Sequence, residues 1–258
     1  MSEPTSPDAT PPILTVDGPR ATIRLNRPRQ HNRIEPGDLG VLVDHFARIA
    51  GDSSVRVLVL TGTGRSFSAG YDIGSIGERQ GAAAPPPFGD VVDALENLPQ
   101  PTIAALNGGV YGGSTDLALA CDFRIGVEGG RMFMPAARLG LHYYGSGMRR
   151  YVERLGIAAA KRLFLTGEPI DVEAMRAIGY LDEIVPADGL DARVDALVAA
   201  LAAGAPSAIV AMKRTLNKIA RGEYDKAEAD AANAASVRSA EAAEGVLAWK
   251  EKRPPRFG

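Results

Sequence analysis

An α/β fold is what this sequence predicts, from three stretches that join strands to helices. The continuous run Val55–Leu60, rich in β-branched residues, reads as a strand buried on both faces, the parallel type. Ahead of it, Pro36 opens an amphipathic segment through about Ala50, with Leu39, Leu42, Val43 and Phe46 on one side. Further on, the apolar run Thr102–Leu106 passes through glycines 108, 109, 112 and 113 into a helical pattern from about Ser114. Strand, helix and strand at this spacing build α/β architecture.

The elements follow in order. Ile13–Val16 and Ala21–Leu25 alternate as a hairpin about the turn Asp17-Gly-Pro19. Asn26–Asn32 is a polar loop, and Thr61–Phe67 is a second loop after the buried strand. That second loop holds G-x-G, but Phe67 stands at the third glycine position and no helix follows, so a dinucleotide site is excluded. Gly81–Pro87 is a mobile loop that precedes a helix near Asp90–Asn97. Beyond the glycine-rich turn, Leu117, Ala118 and Cys121 form one apolar helical face. Phe123–Val127 and Arg131–Met134 are strands, Leu181–Val185 a short one, and helices fall at Ser146–Leu155, Ala158–Leu165 and Val172–Ile178. Four more helices follow from Leu190, in an alanine-rich stretch with few large side chains to bury, suited to packing on a neighbouring subunit.

With 258 residues, 45% apolar and 23% charged, the chain has room for one large domain with an appended helical piece. A formal charge of -2 offers no basic field for nucleic acid or an anionic membrane. The single cysteine, Cys121, excludes an intrachain disulfide, reads as a buried thiol and fits a reducing compartment. A cytoplasmic location is expected. Residues 1–12 are polar and proline-rich, a flexible tail and not a signal peptide, and no apolar run reaches the length of a membrane span.

Chemistry points to the glycine-rich turn. It leaves backbone N–H groups uncovered at a helix N-terminus, where the dipole favours negative charge. Asp116 falls about one helical turn beyond Gly113, which sets an acid beside an oxyanion site. His31, His45 and His142 lack metal-ligand spacing, and no nucleophile elbow or phosphate-loop lysine is present. His45 falls within an amphipathic helix as a structural residue.

Several spaced stretches resemble the crotonase superfamily, the enoyl-CoA hydratase/isomerase family: Asn26-Arg-Pro28, Phe67-Ser-Ala-Gly-Tyr-Asp-Ile73, Asn107 through Asp122, Leu139-Gly140, Leu165-Thr-Gly167 with Ile178-Gly179, and Glu251-Lys-Arg253. The resemblance implies a spiral of ββα units over residues 13–189 and a C-terminal helical region, 190–258, that builds a trimer or a dimer of trimers. It implies an acyl-CoA substrate, whose coenzyme A is part of the thioester and not a separate cofactor. Two N–H groups, of Tyr71 and Gly113 by motif position, would hold the thioester oxygen and stabilise an enolate. Ser68, Ala69, Asp72, Ile73 and Gly74 would line the adenine and pantetheine site. Arg29, Gln30 and His31 match a loop that meets the CoA phosphates, and Trp249 and Lys252 match positions that reach a neighbour's CoA.

The departures bear on the reaction. Asp116 stands at the first hydratase glutamate, one methylene shorter, and the second falls at Pro135-Ala136, where Ala136 has no proton to exchange. Leu139-Gly-Leu-His-Tyr143 resembles the methylmalonyl-CoA decarboxylase branch, with His142 where that branch has proline. Tyr143 is then either an orienting proton donor or a wall of the acyl pocket, and His142 is itself an acid/base candidate. Tyr111, Tyr144 and Met148 either shape that pocket or belong to the core. The resulting expectation is hydratase- or isomerase-type chemistry through an enolate, with decarboxylation or silent acyl-CoA binding as alternatives.

Overall fold

The hairpin forms as the sequence predicts, and it supplies one edge of the larger sheet. Strands β1 (Ile13–Asp17) and β2 (Arg20–Leu25) pair antiparallel. Strand β2 then pairs in parallel with β3 (Val57–Gly62), with helix α1 (Pro36–Ala50) between them in sequence. The computed structural model describes residues 9–75 and 85–257. The first eight residues of the expected tail and residues 81–84 of the expected loop lie outside that set, whereas Thr10 donates its N–H to Asn26 O at 2.9 Å and Pro12 O contacts His45 Nε2 at 2.9 Å.

From β3 onward the chain repeats one unit three times. A strand enters the larger sheet, the next enters a smaller sheet, and a helix follows. The first unit is β3, β4 (Ser66–Ser68) and α2 (Phe88–Glu96); the second is β5 (Thr102–Leu106), β6 (Gly109–Tyr111) and α3 (Gly113–Ala120). The third is β7 (Phe123–Val127), β8 (Arg131–Phe133) and α4 (Gly145–Thr166). Short β9 (Ile170–Asp171), α5 (Val172–Ala177) and β10 (Glu183–Val185) close the two sheets, which run β1-β2-β3-β5-β7-β10 and β4-β6-β8-β9. This is a crotonase-like spiral of ββα units. The short strands β4, β6 and β9 escape the sequence reading because two or three residues carry no period.

Alternation along the buried strands sorts the two faces of the larger sheet. Leu58, Leu60, Ala104 and Leu106 face the main core with α1, α2 and α3. Val57, Val59, Ile103, Ala105, Ile125 and Val127 face α6 (Leu190–Ala202), which covers them with Leu190, Val194 and Val198. The first of the four C-terminal helices therefore packs on this chain's own sheet. Helices α7 (Pro206–Ala220), α8 (Lys226–Val237) and α9 (Ala240–Glu251) bury only Ala248 and leave Met212, Leu216, Ile219, Val246, Leu247 and Trp249 exposed. The two helices expected over 146–165 form as the two parts of α4, separated at Gly156, whose φ of 78° and ψ of 159° are not helical.

Helix α3 corrects the expected amphipathic pattern. Ser114 through Ala120 are all buried, so no face is solvated and no apolar stripe is selected. Asn32 and Asn107 then hold the loop that precedes β4. Asn32 accepts from Arg27 N–H at 3.0 Å and donates to Thr63 O at 2.9 Å and Ser66 O at 2.8 Å. Asn107 accepts from Gly62 N–H at 3.1 Å and donates to Gly64 O at 2.7 Å. Asn32→Leu takes the side-chain partner from Arg27 N–H and Thr63 O and leaves Ser66 O with Asn107 alone, at 3.2 Å, so urea unfolding should report a loss of about 2–4 kcal/mol.

Candidate active site

Two backbone segments meet at the mouth of α3, and glycine is what lets them meet. Gly70 has a φ of +94°, and a Cβ there would sit 2.6 Å from Tyr111 O and 3.1 Å from Gly113 N. The residue after Gly70 is Tyr71, in a parallel bridge with Ile34 that uses the Gly70 carbonyl and the Asp72 amide. Alternation in a parallel pair turns the intervening Tyr71 N–H to the opposite side. Gly113 is the first residue of α3, where N–H groups have no partner within the helix. Ser68 ties the segments together: its Oγ accepts from Gly70 N–H at 3.1 Å and from Ser114 Oγ at 2.6 Å, and donates to Asn32 O at 2.7 Å.

Both amide-bearing residues line a cavity of about 510 Å³ with mostly apolar walls. Ala69, Ile73, Ala136 and His142 line it too, as do Tyr143 and Tyr144. A second cavity of about 900 Å³ adjoins it, sharing Ala69 and Tyr111 and adding His31, Arg65 and Arg131. The structure thus gathers Ala69, Tyr71, Ile73, Gly113 and Tyr143 around the first cavity and places His31 on the second. Ser68, Asp72 and Gly74 are in the supporting backbone, and Arg29 and Gln30 line neither cavity. Trp249 and Lys252 end α9 away from both, with Trp249 exposed.

Asp116 is placed differently from its expected role beside the ligand. It is fully buried and absent from the walls of either cavity. Its Oδ2 accepts from Tyr144 Oη at 2.5 Å and from Arg150 Nη1 at 2.6 Å, while Oδ1 is buried without a hydrogen-bond partner. Tyr143 Oη donates to Tyr144 Oη at 3.1 Å, and the two rings stack at 4.3 Å. A chain of two hydroxyls therefore connects the buried carboxyl to the cavity. Ala136 offers the cavity a methyl group, and no Asp or Glu lines it among the described residues.

Arg150 and Glu96 complete the arrangement, and neither was signalled by a motif. Arg150, itself fully buried, donates to Glu96 Oε1 at 2.9 Å and to Asp93 Oδ1 at 2.6 Å. Glu96 also receives Arg149 at 2.8 Å and Arg221 at 2.7 Å. The signal in the sequence was the adjacent pair Arg149-Arg150 on a helix whose partner helix carries Asp93 and Glu96 three apart, a spacing that shares one face.

Burial pushes the Asp116 carboxyl above the ordinary carboxylate range, against the pull of Arg150 and Tyr144. Burial, reinforced by the Asp116 charge, raises both Tyr143 and Tyr144 well above the ordinary tyrosine value, so each stays protonated at neutral pH. Burial alone would raise Glu96 as well, but hydrogen bonds and charge from Arg150 and Arg149 outweigh it and hold that carboxyl at about 2.

A family model for enoyl-CoA hydratase/isomerase matches residues 20–258. Carnitinyl-CoA dehydratase of Salmonella arizonae is 32% identical over 95% of this chain and 97% of its own length. Crotonyl-CoA hydratase of Syntrophomonas wolfei is 29% identical over 95% and 96% of the two chains. Among solved structures, an enoyl-CoA hydratase from Bacillus anthracis superposes with a TM-score of 0.88 at 28% identity, covering 96% of this chain and 99% of that one.

The Glu96 ion cluster sets a pH dependence of stability. As pH falls from 4.5 toward about 2, the unfolded chain takes up a proton that folded Glu96 refuses, so stability contributed above that window is lost within it. Urea-midpoint measurements across those pH values should show a decline that is shallower in Glu96→Gln.

Proposed function

The chain belongs to the enoyl-CoA hydratase/isomerase family of enzymes, and from that premise we propose that it processes an acyl-CoA thioester through an enolate. The observation that carries this reading is the pair of amides, Tyr71 N–H and Gly113 N–H, at the wall of a single apolar cavity beside a helix N-terminus. Donors fixed in backbone need no reorganisation as charge grows on the thioester oxygen. The adjoining cavity with His31 and Arg65 offers cationic and polar groups for the nucleotide end of coenzyme A.

Proton transfer in this reading passes through the hydroxyl chain. The step starts with Asp116 protonated and both hydroxyls turned from the direction Tyr143 to Tyr144 to Asp116 that they hold in the resting structure. Tyr143 then gives its proton to the enolate carbon and takes one from Tyr144, and Tyr144 takes one from the Asp116 carboxylic acid. The step ends with an Asp116 carboxylate facing the Arg150 guanidinium. Asp116 acts as the proton reservoir, and Tyr143 is the group that meets substrate. The reverse sequence would draw an α-proton for double-bond migration.

Ala136 favours a second reading, acyl-CoA decarboxylation, within the same site. Hydration needs a base to direct water at the β-carbon, and the cavity offers no carboxylate for it among the described residues. Loss of CO₂ generates the enolate without a base and then asks only for oxyanion donors and a proton. The exposed apolar residues of α7 and α9 fit burial against further copies of the chain, as in a trimer or hexamer, and light scattering would count them.

Mass spectrometry after incubation with malonyl-, methylmalonyl-, crotonyl- and 3-enoyl-CoA separates the readings. Loss of CO₂ marks decarboxylation, gain of water marks hydration, and an unchanged mass with a shifted double bond marks isomerisation. Tight binding without any turnover would leave a silent acyl-CoA binder. Tyr144→Phe should lower kcat by about 10²-fold or more with KM little changed. Asp116→Asn should do the same, and the double variant should be no worse than either single one, because both break one chain. Additive losses would remove the relay.

A further inference from the structure

Of the chain's seven tyrosines, seven phenylalanines and one tryptophan, four tyrosines and two phenylalanines line the 510 Å³ cavity. They form two separate walls. Tyr71 contacts Phe88 at 5.6 Å between ring centroids, Phe88 contacts Tyr144 at 6.2 Å, and Tyr144 stacks on Tyr143 at 4.3 Å. Tyr111 and Phe133, on neighbouring strands β6 and β8 of the smaller sheet, contact each other at 5.3 Å. Among the described residues no ring of one wall is in contact with a ring of the other, although both border the same space.

The first wall begins at the reacting centre. A Cβ on Gly113 would sit 3.0 Å from Phe88 Cε1 and Cζ, so that ring lies against a residue that supplies an oxyanion donor. A thioester held by Tyr71 N–H and Gly113 N–H therefore has the nearest carbons of its acyl group beside an aromatic surface. The second wall is fixed in place by backbone. A Cβ on Gly109 would lie 2.1 Å from Tyr111 Oη and 2.5 Å from its Cζ, so the glycine leaves room for the ring to fold back over β6 at the junction of the two cavities.

We propose that the acyl group accepted here carries an aromatic ring close to its reacting carbons, seated between the Tyr71–Phe88–Tyr144 wall and the Tyr111–Phe133 wall. The inference rests on the acyl-CoA reading above and names the class of acyl group. Flat rings gain offset or edge-to-face contacts with both walls beyond what burial of area provides, and a flexible alkyl chain gains burial alone. It also loses more rotational freedom on entering a confined space.

The test compares 3-phenylpropanoyl-CoA with nonanoyl-CoA by isothermal titration of the full chain. The acyl groups have equal carbon number, and neither has a double bond conjugated to the thioester, so neither can be hydrated. The linear chain has more apolar hydrogen-bearing surface, so simple hydrophobic burial favours nonanoyl-CoA. A Kd for the phenyl thioester lower by about tenfold is expected, the order of one or two ring contacts. Tyr111→Leu and Phe133→Leu should each narrow that ratio toward unity while still binding nonanoyl-CoA. Equal or tighter binding of nonanoyl-CoA to the unaltered protein overturns the aromatic preference and leaves the acyl-CoA reading intact. Failure of both thioesters to bind overturns both.

Discussion

A guanidinium sealed away from water, that of Arg150, dictates how four helices meet. Lifting such an ion out of solvent is tolerable only with partners on every side, because an uncompensated buried charge costs about 3–5 kcal/mol once one partner is removed. Arg150 on α4 finds Asp93 and Glu96 on α2 and Asp116 on α3. Arg221, at the end of α7, closes on Glu96 from the C-terminal side. The orientation of Asp116 is thus a consequence of charge pairing in the core. Its carboxyl turns toward α4, and the tyrosines that precede α4 come between it and the cavity. In the proposed reaction, a structural demand made by one arginine is what converts a direct acid into one that acts through hydroxyls.

The proposed oxyanion site depends on a different constraint, the close approach of two backbones. Side-chain chemistry contributes little to it beyond Ser68, whose hydroxyl fastens the residue before Tyr71 and the residue after Gly113. Because the donors are amides, the identity of Tyr71 is free to serve the cavity wall instead. One residue thereby offers its N–H to the thioester position and its ring to Phe88. Economy of this sort is available only where glycine clears the path, as at Gly70.

What could be read in the sequence follows from which features are local. The hairpin, α1, β3 and β5 announce themselves by period and β-branching, and they form within a few residues of the expected bounds. The glycines before α3 signal a tight turn with uncovered amides whatever surrounds them, whereas Tyr71 was legible only through the resemblance of Phe67–Ile73 to the family. Side-chain direction was not legible. Asp116 one turn beyond Gly113 satisfies the same spacing whether it faces ligand or core, and only the distant Arg150 decides between them. Tyr144 was visible as a pocket candidate, yet its bond to Asp116 joins residues 28 positions apart. Phe88 and Phe133 carry no motif at all, and their shared cavity comes from the stacking of ββα units. Helix α3 misled because a helix buried on all sides has no amphipathic stripe to show.

The charge balance of the proposed proton relay narrows the chemistry further. An acid that begins neutral beside a buried cation ends as its ion pair, so Arg150 compensates the charge that proton donation leaves behind. Burial resists that ionisation and raises the carboxyl above its ordinary range, while Arg150 and Tyr144 favour it. Such a group suits one proton delivered to carbon, then recovered from solvent or from the substrate's own α-position. It suits poorly the demand of hydration, where water must be stripped of a proton on one carbon while another carbon receives one. A single carboxyl acting through a chain whose outer member is Tyr143 can serve only one carbon at a time. Within the proposed relay, reactions that make or consume an enolate one proton at a time are the ones it serves best, and Ala136, which lines the cavity with a methyl group, supplies no second acid or base.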